Sequence, residues 1–150
     1  MIDRPIKADG NNTYVLDASI AVKFFADEEG SDLARNLWRR AEIFELHLLA
    51  PDLILYEVGN VLGKAKRLKE STIIEALHLL LGSSLKFFPP EERIFDIALG
   101  FMKEHGLTFY DASYAALAYK FGIPLISENP KDHNKVKEIE VRSLASFKNQ

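Results

Sequence analysis

Residues 13–25 read TYVLDASIAVKFF, and the reading of this stretch decides how the rest of the chain is laid out. Thr13, Tyr14, Val15 and Leu16 are apolar or β-favouring and run straight into Asp17. A strand buried on both faces of a parallel sheet shows this short apolar run, not an in–out alternation. Ala18 and Ser19 then open a helical pattern, with Ile20, Lys23 and Phe24 behind them. Asp17 therefore sits at a strand-to-helix junction and has two explanations. It is a helix N-cap, accepting from a free backbone N–H, or an acid at the carboxyl edge of a sheet, where open α/β folds place their sites.

Working outward, residues 1–12 form a polar arm closed by the turn signal Gly10-Asn11-Asn12, and residues 13–150 form one domain. Asp27-Glu28-Glu29-Gly30 breaks the first helix. Ser31 reads as the N-cap of a helix over 32–46 with Leu33, Leu37, Ala41 and Phe44 on one face. A second strand over 48–50 stops at Pro51, and a helix over 53–67 follows. Its apolar arc holds Ile54, Val58, Val61, Leu62 and Ala65, and Glu57 lies at the edge of that arc, in line with Leu53 and Val61. A carboxylate beside a core needs a partner or a cation. Asn60 is one candidate partner, and an exposed pairing with Lys64 is the alternative.

Ser71 is the expected cap of a helix over 72–81, whose apolar surplus fits burial on more than one side, through core packing or a dimer or partner surface. A third strand over 85–88 ends at Pro89-Pro90. A helix over 91–105 closes at Gly106. Thr108-x-x-Asp111 has nearly the form of a capping box, and the helix over 112–121, rich in closely packing alanines, closes at Gly122. Residues 123–127 are a fourth strand, 128–134 a polar loop, and 139–143 a final edge strand with Ile139 and Val141 alternating with Glu138, Glu140 and Arg142. Strands separated by helices predict an α/β fold: a three-layer α/β/α sandwich around a central, mostly parallel sheet of about five strands. Right-handed crossovers place Asp17 and the loop from Ser127 to Asp132 on the same carboxyl edge.

Composition narrows the chemistry. The 150 residues are 47% hydrophobic and 27% charged, ordinary for a soluble globular chain. With no cysteine there is neither a disulfide framework nor a thiolate metal site. No signal-peptide core or membrane-length apolar run occurs, so a cytoplasmic protein with no membrane association is expected. A net charge of −3 argues against a dedicated duplex-DNA binder, although cations can supply the charge a nucleic-acid substrate needs. His47, His78, His105 and His133 lack metal-ligand spacing and read as surface or satisfied histidines. There is no G-x-S-x-G, phosphate-binding loop or G-x-G-x-x-G, and Ser19 has no local base signature, which argues against a serine hydrolase.

Four separate elements thus bring acids or amides to one edge. Like charges packed together raise each other's pKa unless a cation neutralises them, and an oxygen-only donor set suits Mg²⁺ or Mn²⁺. Such a cleft is what metal-assisted phosphodiester hydrolysis requires.

At this point the segments VLDASIAVKFF, PDLILYEVGNVL, LTFYDASYAALA and PLISENPKD, in this order and spacing, resemble the PIN domain, and within it the VapC-type toxins of toxin–antitoxin pairs. The resemblance spans residues 13–141. It implies a Mg²⁺- or Mn²⁺-dependent endoribonuclease in which Asp17, Glu57 and Asp111 match the first three acids. Ser19 matches the hydroxyl after the first acid, Asn60 the amide after the second, and Lys23 a basic residue able to touch phosphate. Many members read Thr-x-Asp after the fourth strand, whereas this chain has Ser127-Glu128-Asn129. Asn129 offers a neutral carbonyl to the metal, and Asp132 fits a variant in which the two share the catalytic role. The resemblance further implies an RNA substrate, an antitoxin partner and a homodimer. Two alternatives stand beside it: an RNA-processing nuclease of the same fold without an antitoxin, and a non-catalytic binding module. A haloacid-dehalogenase-type phosphatase fits poorly, because Ser19 stands where that site needs a second Asp.

Overall fold

The computed structural model describes residues 12–149. The polar arm expected over 1–12 lies outside them, except for Asn12. The Asn12 carbonyl accepts from His47 N–H at 2.8 Å, and its amide donates to Glu45 O at 3.3 Å.

Five parallel strands form the sheet: β1 (Thr13–Leu16), β2 (His47–Pro51), β3 (Lys86–Phe88), β4 (Leu125–Ile126) and β5 (Val141–Arg142), in the order β3-β2-β1-β4-β5. β1 is central and buried throughout, because each of its side chains meets a layer of helices. Its two neighbours are held in fixed register, Val15 opposite Leu49 on one side and Leu125 on the other. The strand order reverses at β1, so the crevice beyond its carboxyl end is the place where such sheets leave room for a ligand.

Among the described residues the helices are α1 (Ala18–Val22), α2 (Ser31–Glu42), α3 (Leu53–Lys64), α4 (Glu70–Leu81), α5 (Glu92–His105), α6 (Phe109–Phe121) and α7 (Pro130–His133). The three-layer α/β/α sandwich is as expected. Helix α6 packs directly on β1 and β2 and is itself covered by α5, while α1 packs on α3 and α3 on α4. Ala112, Ala115, Ala116 and Ala118 are all but fully buried, and their small side chains permit this close approach. Gly106 and Gly122 end α5 and α6 in the left-handed conformation that glycine adopts without steric penalty.

Several boundaries depart from expectation. Ser31 does not cap α2; its hydroxyl donates to Ala26 O at 2.6 Å and accepts Glu28 N–H at 3.0 Å, stapling the preceding loop. Gly30, at φ 86°, stands at the cap instead. α2 stops at Glu42, not at 46, because Phe44 turns at positive φ and sends the buried Leu46 into the core as a lead-in to β2. α3 ends at Lys64, and α4 begins at Glu70 after Lys69, so Ser71 is no cap. β4 is two residues long, since Pro124 has no N–H to donate, although its carbonyl still accepts from Val15 at 2.9 Å. The polar loop contains α7. In α4 only Ala76 and Leu80 are buried, and Ile74, Leu79 and Leu81 face solvent, so burial on more than one side is not found among the described residues.

Candidate active site

Asp17 satisfies both of its explanations at once. Its backbone N–H still belongs to the sheet, donating to Ile126 O at 3.0 Å. Its side chain, 5% exposed, then caps α1 through Oδ2, which accepts Ser19 N–H at 3.3 Å and the Ser19 hydroxyl at 2.5 Å. The same oxygen accepts the Ser127 hydroxyl, arriving from the end of β4, at 3.2 Å. All three bonds fall on Oδ2, so Oδ1 takes none of them, and Asp17 lines the crevice. Ser19 and Ser127 do a second job: their hydroxyl oxygens accept the backbone N–H groups of Glu128 at 3.1 Å and Asn129 at 2.9 Å, tying the loop after β4 to the first acid.

Glu57 projects from α3 into the same crevice. The partner that holds it is Tyr114 of α6, whose hydroxyl donates to Oε1 at 2.8 Å. Neither Asn60 nor Lys64 makes the contact expected of it among the described residues; Asn60 lines the crevice beside Glu57. Burial pushes the Glu57 carboxyl above its ordinary range, and the charges of Asp17 and Asp111 push the same way, against the opposing bond from Tyr114. Asp111 is the third residue of α6. The cap is made by its N–H, which donates to Thr108 Oγ1 at 3.1 Å, so the carboxylate is spared for other work. Burial raises its pKa as well and the Asp17 charge adds to that rise, which His133 opposes only when protonated.

The crevice holds a volume of about 420 Å³, and Asp17, Ser19, Lys23, Glu57, Asn60, Asp111 and Asn129 all line it. Lys23 is engaged there already: its ammonium donates to Glu28 Oε1 at 3.1 Å and to Glu29 O at 2.6 Å. Asp132 stands one step back from the crevice. Its Oδ2 accepts the Asn129 amide N–H at 3.1 Å, its Oδ1 lies 3.4 Å from Lys135 Nζ, and these two contacts hold its carboxyl below the ordinary range. With its amide nitrogen so committed, Asn129 is oriented by Asp132.

Sequence reasoning missed His133. Read as a surface or satisfied residue, it is fully buried on α7. Its Nδ1 lies 2.9 Å from Ser127 Oγ, and its Nε2, 3.8 Å from Asp111 Oδ1, has no hydrogen-bond partner among the described residues. Its only signal in the sequence is position, six residues beyond Ser127 in a loop that returns to the sheet edge.

The residues fit a divalent cation. Asp17, Asp111 and His133 each offer one donor atom, all within 4.8 Å of one another. The carboxyls of Glu57 and Asp111 are each raised by burial and by the nearby charge of Asp17, the state that a cation relieves. Carboxylate oxygens are the donors that Mg²⁺ and Mn²⁺ prefer.

The family model described as PIN domain matches residues 14–139. Ribonuclease VapC3 of Pyrobaculum aerophilum is 38% identical over 119 residues, covering 75% of this chain and 86% of the relative. Exonuclease VapC9 of the same organism is 37% identical over 136 residues, covering 87% of this chain and 92% of the relative. Among solved structures, VapBC2 from Rickettsia felis, bound to a DNA fragment from its promoter, matches with a TM-score of 0.67 at 16% identity, over 87% of this chain and 98% of that one.

Proposed function

The chain belongs to the PIN domain family, and we propose that it is a divalent-cation-dependent endoribonuclease, the toxin of a toxin–antitoxin pair. The observation that carries this reading is the meeting of Asp17, Glu57 and Asp111, from three distant segments, in one crevice at the carboxyl edge of the sheet. One relative is named a VapC ribonuclease and the other a VapC exonuclease, and the matching solved structure is of VapBC2, which supports the reading.

In this reading Asp17, Asp111 and Glu57 hold Mg²⁺ or Mn²⁺, with the Asn129 carbonyl as a neutral fourth donor. When bound, the cation polarises the scissile phosphoryl group and offsets the charge that develops on the leaving oxygen. The chain's own groups prepare the place. Ser19 and Ser127 fix the rotamer of Asp17 through Oδ2 and leave Oδ1 for the cation, and Tyr114 fixes Glu57. Asp132 acts through the amide of Asn129, and Asn60 offers a hydrogen bond at the rim. Lys23 reaches a substrate phosphate only by exchanging its contacts with residues 28 and 29. A cognate antitoxin and a second copy of the chain are the proposed protein partners. The exposed Ile74, Leu79 and Leu81 of α4 offer apolar surface for one of them. No helix among the described residues is long and apolar enough to cross a membrane, and the cytoplasm is the proposed compartment.

Cleavage of a circular single-stranded RNA in Mn²⁺ tests this reading, since only an endonuclease opens a circle. The wild type is expected to open it and Asp17→Asn to lose at least about a hundredfold in rate, a loss of the size seen when a group stabilising transition-state charge is removed. Equal rates in both proteins would overturn the assignment.

A further inference from the structure

The hydrogen bonds around Ser127 determine which nitrogen of His133 carries a proton. A serine hydroxyl has one proton and two lone pairs. The proton of Ser127 goes to Asp17 Oδ2 at 3.2 Å, and one lone pair takes the Asn129 N–H at 2.9 Å. The remaining lone pair faces His133 Nδ1 at 2.9 Å, so Nδ1 is the donor in that contact. A neutral imidazole protonated at Nδ1 keeps a bare lone pair on Nε2. That atom is sealed from solvent, has no hydrogen-bond partner among the described residues and lies 3.8 Å from Asp111 Oδ1. A lone pair shut away from water and facing a carboxylate oxygen is unfavourable unless something positive lies between them. Buried polar atoms left without a partner are also rare enough to need a reason.

We infer that His133 Nε2 is a direct ligand of the cation held by Asp17 and Asp111, which makes this a mixed nitrogen–oxygen site favouring Mn²⁺ over Mg²⁺. The inference rests on the cation site of the proposed function and deepens it by naming a donor and a metal preference. Three facts support it. Donors about 2.1 Å from a shared octahedral ion lie roughly 3.0 to 4.2 Å apart, and the 3.8 Å between Nε2 and Asp111 Oδ1 falls inside that range. The three donor atoms also lie within 4.8 Å of one another. A histidine that binds a metal donates its other ring N–H to a fixed acceptor, and here that acceptor is Ser127, which itself donates to Asp17. One hydroxyl thus orients both ligands. Mn²⁺, a transition ion, accepts an imidazole nitrogen beside its oxygen ligands more readily than Mg²⁺, which holds to oxygen and gives up its waters reluctantly.

The test uses the full chain loaded with Mn²⁺. Electron spin-echo spectroscopy reads a nitrogen bonded to Mn²⁺ directly, and growth on ¹⁵N-histidine must change the modulation from the ¹⁴N to the ¹⁵N pattern. In calorimetry, His133→Phe should lose about tenfold or more in Mn²⁺ affinity and less than about threefold in Mg²⁺ affinity, and its Mn²⁺ spectrum should lose the nitrogen modulation. His105, which lies with Glu104 and Glu138 in a separate, more exposed cluster, is the control. His105→Ala should keep the modulation. Mn²⁺ bound to the wild type without nitrogen modulation, or modulation that persists in His133→Phe, would overturn the inference while leaving the cation site intact. The wild-type spectrum decides this even if the variant fails to fold. Mn²⁺ affinity unchanged in Asp17→Asn would remove the cation site itself, and the inference with it.

Discussion

Helices α3 and α6 build two hollows of opposite character. One is the acidic crevice described above. The other, about 240 Å³, is lined by Pro51, Leu53, Tyr56, Phe88, Phe95 and Tyr110, with Leu117 and Ile94 among the residues beneath. In the sequence the two alternate residue by residue: Tyr56 precedes Glu57, and Tyr110 precedes Asp111. Consecutive residues on a helix point about 100° apart, so one step along the chain moves a side chain from the aromatic hollow to the acidic one. The apolar hollow is made by side chains whose inner neighbours stabilise the fold. The acidic crevice gathers groups whose pKa values show that the fold disfavours their charged form. Two faces of the same helices therefore have opposite effects on stability, and a residue's contribution depends on which way it points.

The largest test of that contrast is Leu117→Ala. Leu117 is 1% exposed beneath the aromatic hollow, and its truncation should cost about 2 to 5 kcal/mol in denaturant unfolding. Mn²⁺ affinity of the folded fraction should be unchanged; a loss of affinity without a loss of stability would break the separation of the two faces. A smaller effect is expected at the seam between them. Tyr114→Phe keeps the buried ring but strips Glu57 of its bond, at a cost of about 1 to 3 kcal/mol. Because that bond is what lowers the Glu57 pKa, the carboxyl should titrate higher still in the variant, as carbonyl-resonance NMR would show.

The smallest effect has the opposite sign. In chelator-treated protein Glu57 and Asp111 have folded-state pKa values above their ordinary ones of 4.5 and 3.8. The charged forms weaken the fold at neutral pH, and stability rises as pH falls from above the raised values toward the ordinary ones. Asp132 acts in reverse, since its lowered pKa contributes stability above 3.8 that is lost only at more acidic pH. The metal-free melting temperature should therefore climb between pH 7 and about pH 5. Glu57→Gln should flatten that climb and stabilise the metal-free protein at pH 7 by under about 1 kcal/mol, given how solvent screens half-buried charges. A melting temperature that falls over the same range would mean the acids are not held against their preference.

Much of this was legible in the chain. The apolar run into Asp17, the prolines after the third strand, and the glycines at 106 and 122 mark the elements because each acts through its own backbone, whereas Pro51, expected to stop the second strand, is its last residue. The boundaries that moved did so where contacts distant in sequence outweighed local preference. Ser31 has the side chain of a helix cap but is drawn to the carbonyl of Ala26, and Phe44 accepts a positive φ so that Leu46 can enter the core. Glu57 shows the same limit within the site. Its place at the edge of an apolar arc announced the need for a partner, but the partner came from 57 residues away.

What the sequence determined by itself is the set of elements and the chemistry on offer: a parallel α/β sheet with acids at its carboxyl edge, read from periodicity and from the chemistry of single residues. What only the tertiary structure decided is pairing. Tyr114 beside Glu57, Asp132 behind Asn129, and the bare nitrogen of His133 facing Asp111 are juxtapositions across the fold. Hydrogen bonds and electrostatic forces depend on distance through space, and residues remote along the chain acquire a distance only when the sheet and its helices have closed around them.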